Sequence, residues 1–209
     1  MTSSLASMSN VLPAAVEPRL NAAQETGQAD LLALVQRAQG GEVEAFAGVL
    51  EQFERRVFHF VLRMLRNAHD AEDVTQDTFV KAWRHLASFR PQNNFSTWLF
   101  TIARRTALNH IRARRPTEEL GEHDEVMPEN PRDAATDREQ AESIWNLARR
   151  LKPDQYEVLW LCYGEGFSAN EIAGIMNTNS LRVRVLLHRA RKRLAEWLPA
   201  PATNSGDHR

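Results

Sequence analysis

The stretch FSANEIAGIMNTNSLRVRVLLHRARKRL, residues 167–194, decides how the C-terminal part of the chain is read. Ser168 and Glu171 have the spacing of a capping box, in which each side chain accepts from the other's backbone N–H. Phe167 and Ile172 are placed to staple the same helix start. The turn MNTNS then separates this helix from a second one beginning near Ser180. At about 100° per residue, Val183, Leu187, Ala190, Leu194 and Trp197 fall on one face of that helix. Arg182, Val185, Arg189 and Lys192 fall on the opposite face, with Ser180, Arg184 and His188 beside them. An apolar back, an arginine-rich front and a tight turn from a capped helix describe a helix-turn-helix suited to the DNA major groove. There arginine donates two hydrogen bonds to guanine, and Val185 can meet a thymine methyl. Arg191 and Arg193, later on the helix, are expected at phosphates. A merely solvated surface helix is the plainer reading, but such faces mix both charge signs.

Charge organises the rest of the chain. The formal net charge is −1 over 209 residues, yet it is strongly segregated. Arg104–Arg115 holds five arginines and no acid, and Ser180–Arg193 six basic residues and no acid. Between them, Thr117–Glu142 holds ten acids against two arginines. Helix-period patterns dominate and strand signals are sparse, so an all-α fold is predicted. It consists of two small helical domains joined by an acidic flexible linker. The expected boundaries are a flexible extension over 1–28, a first domain over 29–115 and a linker over 116–137. A second domain with the helix-turn-helix follows over 138–198, then a disordered tail over 199–209. Apolar runs are short and interrupted by charge, which leaves no membrane span. One cysteine, Cys162, excludes an internal disulfide and a multi-cysteine zinc site. The cytoplasm is the expected location.

In the first domain, Phe46, Val49, Leu50, Phe53, Val57, Val61 and Met64 recur at helical spacing and predict a buried stripe. DAEDVTQDTF, residues 70–79, then places four acids within eight residues. Asp70 fits a helix N-cap, with Glu72 and Asp73 in the first turn. Capping leaves Asp77 unexplained. On this helix Ala71, Thr75, Phe79, Ala82 and Leu86 face inward, while Asp73, Asp77, Val80 and Arg84 form an outer stripe. An outward valine among charges suits a protein partner better than a metal ion. The loop SFRPQNN leads into a basic helix from about Phe95, where Thr101, Arg104, Arg105, Leu108, Arg112 and Arg115 share a stripe edged by Trp98. Amides such as Asn93 and Asn94 can read a base edge, and aromatics can stack on an unpaired base. Locally opened DNA fits this surface, although Trp98 could equally be a packed core residue.

DAEDVTQDTFVKAWRHL, then FSTWLFTIARRTALNHIRARRP, then FSANEIAGIM with VRVLLHRARKRL resemble, in order, motifs of bacterial extracytoplasmic-function (ECF) sigma factors. The first two resemble regions 2.2 and 2.3–2.4 of domain 2, and the third resembles region 4.2 of domain 4. The resemblance spans about residues 30–197. It implies that Asp73, Gln76, Asp77, Phe79 and Val80 dock on core RNA polymerase, at the β′ clamp helices, with the β subunit also a partner. The loop Ser88–Asn94 would hold a base flipped out of the −10 element. Asn93, Asn94, Phe95, Trp98, Thr101, Arg104, Arg105, Asn109, Arg112 and Arg115 would bind and help melt that element. Ser180, Arg182, Arg184, Val185, His188, Arg189 and Lys192 would read the −35 element as duplex. The family lacks the middle domain of primary sigma factors, and the acidic linker stands in its place. Family members often carry a small or polar residue where Leu181 and Val185 stand, so the promoter sequence is not inferred. An anti-sigma factor is a partner that the sequence neither excludes nor identifies.

Two rival readings remain at this point. An ordinary helix-turn-helix regulator explains the second domain but not DAEDVTQDTF or the basic aromatic helix. A carboxylate-metal nuclease requires acids that converge with further ligands. Asp73 and Asp77 instead point outward, and no HExxH, phosphate loop or nucleophile elbow is found. No catalytic residue, cofactor or metal is therefore expected.

Overall fold

The computed structural model describes residues 23–114 and 144–198, with side chains in the first segment from residue 29 onward. Among these residues the secondary structure is helical, without strand. Helix α1 spans Ala23–Gln39 and α2 spans Val43–Leu65. The first of these starts within the stretch expected to be a flexible extension. Helix α3 spans Ala68–His85 and runs into a single 3₁₀ turn, Leu86–Ser88. Helix α4 spans Phe95–Ala113. In the C-terminal part a helical turn over 144–148 precedes α5, Pro153–Leu159. A π-helical segment follows over Trp160–Gly164, then α6, Ala169–Met176, and α7, Ser180–Trp197. Arg115, the linker 116–137, the start of the second domain at 138–143 and the tail 199–209 lie outside the described residues.

Local chemistry sets the helix starts. Asn67, not Asp70, caps α3: its side chain accepts from the Asp70 N–H at 3.0 Å. Asp70 thus sits three residues inside the cap, in the first turn, where the helix dipole still favours its charge. Asn94 caps α4 through the Thr97 N–H, and Asn179 caps α7 through the Arg182 N–H. The Ser168–Glu171 capping box is formed in full. Pro153 occupies the first turn of α5, where its missing N–H costs nothing.

The π segment has a steric origin. A Cβ on Gly164 would stand 2.7 Å from Cδ2 of Trp160, so only glycine lets that ring fold back on its own turn. Gly166, at φ +79°, then reverses the chain toward Phe167.

The predicted inner face of α3 is realised, with Ala71, Thr75, Phe79, Ala82 and Leu86 all buried. In α2, Phe46, Val49, Phe53, Val57 and Val61 are buried, while Leu50 and Met64 are half-buried at the edge. Phe53, Phe60 and Phe100 are completely enclosed, and truncating such a ring costs about 3–5 kcal/mol. The core does not stop at the expected domain boundary. Phe100 of α4 meets Phe167 edge-on at 5.1 Å, and one continuous cluster runs from Leu31 to Leu187. A second, smaller cluster joins Ala148, Leu151, Leu159, Ala190 and Leu194.

Candidate nucleic-acid interface

Helix α7 divides as its pattern requires. Val183, Leu187, Ala190 and Leu194 are buried, whereas Arg182, Arg184, Val185, His188, Arg189 and Lys192 are exposed and Ser180 is partly so. The leading face is therefore free to enter a groove, with Leu181 and Val185 its exposed apolar members. Arg182 makes only a loose exposed pair with Asp154 at 3.7 Å. Arg191 departs from expectation. Its guanidinium lies 5.5 Å from the centre of the Tyr163 ring, so it packs inward rather than toward phosphate.

Helix α4 is split along its length. Arg105, Asn109 and Arg112 are exposed, but its N-terminal half is covered by the second helical unit. Arg104 is held by Glu157 of α5, Nε to Oε1 at 2.6 Å and Nη2 to Oε2 at 3.3 Å, and it also reaches the Met176 carbonyl at 3.4 Å. Burial pushes the Glu157 carboxyl above the ordinary carboxylate range, with Arg104 pulling it back down. Asn94 Nδ2 donates to Glu171 Oε1 at 2.8 Å, and Thr97 Oγ1 donates to the same oxygen at 3.3 Å. Thr101 turns back to the Thr97 carbonyl at 2.8 Å. Asn93 is exposed in the preceding loop.

Of the two aromatics expected at DNA, Phe95 is a core residue instead and Trp98 is half-buried beside it. Phe95 is 4% exposed, packed against Phe53, Phe89 and Trp98. Trp98 is half-buried, its ring 5.4 Å from Phe89, so its packed reading holds in this conformation. Both belong to an aromatic cluster that anchors the loop before α4.

The acids of α3 also separate by role. Asp70 faces α4, where Arg114 Nη1 lies 2.7 Å and His110 Nε2 3.4 Å from its carboxylate. Glu72, Asp73, Gln76 and Asp77 are exposed, and Val80 is 47% exposed among them. Phe79 is 4% exposed and belongs to the core, because its position on the wheel faces α2 and α4 rather than the acidic stripe. The acids thus diverge rather than converge on one point.

The pairs between the two units were not anticipated. Arg56 of α2 donates to Glu165 at 2.9 Å, and Arg63 lies 3.3 Å above the Trp160 ring centre. Glu157 and Glu165 carry no local signal of this role beyond being acids in an otherwise apolar stretch.

A family profile described as Sigma-70 region 2 matches residues 49–117, and one described as Sigma-70, region 4 matches residues 141–194. The ECF RNA polymerase sigma factor BldN of Streptomyces coelicolor is 32% identical over 186 residues, which cover 86% of this chain and 70% of BldN. The chain belongs to the ECF sigma factors. The ECF RNA polymerase sigma factor SigW of Bacillus subtilis is 30% identical over 177 residues, covering 78% of this sigma factor and 94% of SigW. Among solved structures, CnrH in complex with the cytosolic domain of CnrY aligns with a TM-score of 0.57 at 25% identity, over 80% of this chain and 96% of the matched one. The sigma factor RpoE in complex with the anti-sigma factor NepR from Bartonella quintana aligns with a TM-score of 0.57 at 26% identity, over 72% and 94%. As an alternative sigma factor, the protein binds core RNA polymerase and directs transcription from particular promoters.

Proposed function

We propose that each step of that activity has its own helix face. The outer stripe of α3, with Asp73, Gln76, Asp77 and Val80, docks on the polymerase clamp. Trp83, 37% exposed on the same helix, adds an aromatic anchor of the kind that dominates protein interfaces. A groove of about 390 Å3 between α2 and α3, lined by Arg55, Phe58, Thr75 and Gln76, offers the partner a recess beside this stripe. Helix α4 and the loop before it, through Asn93, Asn94, Thr101, Arg104, Arg105, Asn109 and Arg112, hold and open the −10 element. The exposed front of α7 reads the −35 element.

The observation that carries this reading is α7 itself: its basic front is exposed along the helix while Val183, Leu187, Ala190 and Leu194 behind it are buried. Residues 29–115 and 138–198 act as sigma domains 2 and 4, joined by the acidic linker. Binding energy alone drives promoter opening, with no covalent chemistry and no cofactor. No helix among the described residues is long and apolar enough to cross a membrane. Action in the cytoplasm follows from the sigma-factor family itself. RpoE is seen with the anti-sigma factor NepR, and an anti-sigma factor is the corresponding partner here.

The test is Asp77→Lys. It should weaken binding to purified core polymerase while leaving affinity for a duplex −35 fragment unchanged. Undiminished core binding would remove α3 as the docking face.

A further inference from the structure

Gln39, the last residue of α1, reaches across to the loop before α4. Its Nε2 donates to the Leu86 carbonyl at 2.9 Å and to the Phe89 carbonyl at 2.8 Å, partners 47 and 50 residues away in the chain. A carboxamide nitrogen carries two N–H donors, so one side chain satisfies both oxygens. They lie where α3 ends in the 3₁₀ turn Leu86–Ser88, and a helix end leaves such carbonyls without helical partners. The end of α1 is itself fixed: Gly41 turns the chain at φ +95°, and Arg37 pairs with Glu42 across that turn.

The rest of the loop is pinned by other groups. The Phe89 ring is buried, 5.3 Å from Phe95 and 5.4 Å from Trp98. The Asn93 N–H donates to the Arg90 carbonyl at 2.9 Å, and Asn94 caps α4. Between these anchors residues 90–93 are exposed. Leu31, Val35 and Ala38 hold α1 to the core without help from Gln39, which is only half-buried. Hydrogen bonds within reach of water add little net stability, so Gln39 sets the direction of the loop more than the stability of the fold. We propose that Gln39 is a positioning residue for −10 recognition: by fixing the peptide groups at the start of the loop, it holds residues 90–93 ready for a base flipped out of the duplex. This rests on the loop 88–94 being the holder of that base. A loop left free must be ordered when the base arrives, and ordering one residue's backbone costs about a factor of ten in affinity.

The test uses the full chain assembled with purified core polymerase, and fork-junction DNA carrying a promoter that the wild type selects in run-off transcription. Each −10 position on the unpaired strand is replaced in turn by an abasic site, and affinity is read by fluorescence anisotropy. One abasic position should weaken wild-type binding most, and it marks the held base. Gln39→Met keeps the length of the side chain and removes the donor. It should bind intact DNA about tenfold more weakly than wild type does. On DNA abasic at the marked position, the two chains should bind equally. A merely structural role would weaken binding to both DNAs alike, so the non-additivity separates the two. Gln39→Glu, which sets a carboxylate against the two carbonyl oxygens, should behave in the same way. It serves instead should Gln39→Met fail to fold by circular dichroism.

A folded variant with wild-type affinity for intact DNA, or with an equal loss on both DNAs, overturns the role of Gln39 and leaves the loop as the base holder. Wild-type binding that no abasic site weakens removes the loop from base recognition, and Gln39 with it.

Discussion

Replacing Gly164 and Gly174 by alanine, one at a time, separates backbone propensity from steric fit within the same helical unit. Gly174 lies on α6, and a Cβ there would find its nearest neighbour, Thr97 Cγ2, at 3.9 Å, an ordinary contact. Gly174→Ala should therefore gain helix propensity unopposed, about 0.5–1 kcal/mol. At Gly164 the new Cβ would stand 2.7, 2.8 and 2.9 Å from three atoms of the Trp160 ring. That ring cannot easily retreat. It is 4% exposed, wedged between Arg63 at 3.3 Å and Trp145 at 4.9 Å. Forcing an extra methyl into such a site costs about 1–3 kcal/mol. Set against the same propensity gain, Gly164→Ala should range from neutral to about 2 kcal/mol destabilised. The two variants should differ by the steric cost, about 1–3 kcal/mol, or roughly 2–12 °C in melting temperature for a chain of this size. Urea unfolding followed by circular dichroism reads the difference directly. A Gly164→Ala chain stabilised as much as Gly174→Ala would refute the steric origin of the π segment.

His59 is buried beside Arg55 and Arg63, and burial, reinforced by those two charges, lowers its pKa from 6.5 to about 4. A depressed histidine contributes stability that is complete above pH 6.5 and is lost as pH falls toward 4, because the unfolded chain takes up the proton first. Between pH 7 and 5 this group alone should cost about 2 kcal/mol, so His59→Gln should flatten the pH dependence by that amount, and parallel profiles would exclude the mechanism. Arg189→Ala should lower affinity for a −35 duplex by about 1–3 kcal/mol if Arg189 contacts a base. Unchanged promoter selection in that variant would take Arg189 out of the readout.

The local rules of the sequence carried far on α6 and α7, where the Ser168–Glu171 capping box starts the first and one helical period sorts buried from exposed residues on the second. They carried less far at α3. Asp70 and Asn67 are both competent caps three residues apart, and packing against α4 claimed Asp70 for Arg114 and His110. Phe95 and Trp98 looked available to DNA because exposure of an aromatic cannot be read from its spacing, and their partner Phe89 lies across a turn. The π segment depends on a ring folding onto a glycine, which no periodicity encodes. Least legible were the pairs Arg56–Glu165 and Arg104–Glu157, whose members lie 109 and 53 residues apart and meet only once both units have folded.

The account turns on whether this chain makes core polymerase selective for promoters. Run-off transcription with purified core enzyme and a promoter library tests that most directly. Discrete promoter-dependent transcripts should appear only when the chain is added, and Asp77→Lys should reduce them. A core enzyme that responds to another sigma factor but yields no such transcript with this chain would contradict the account.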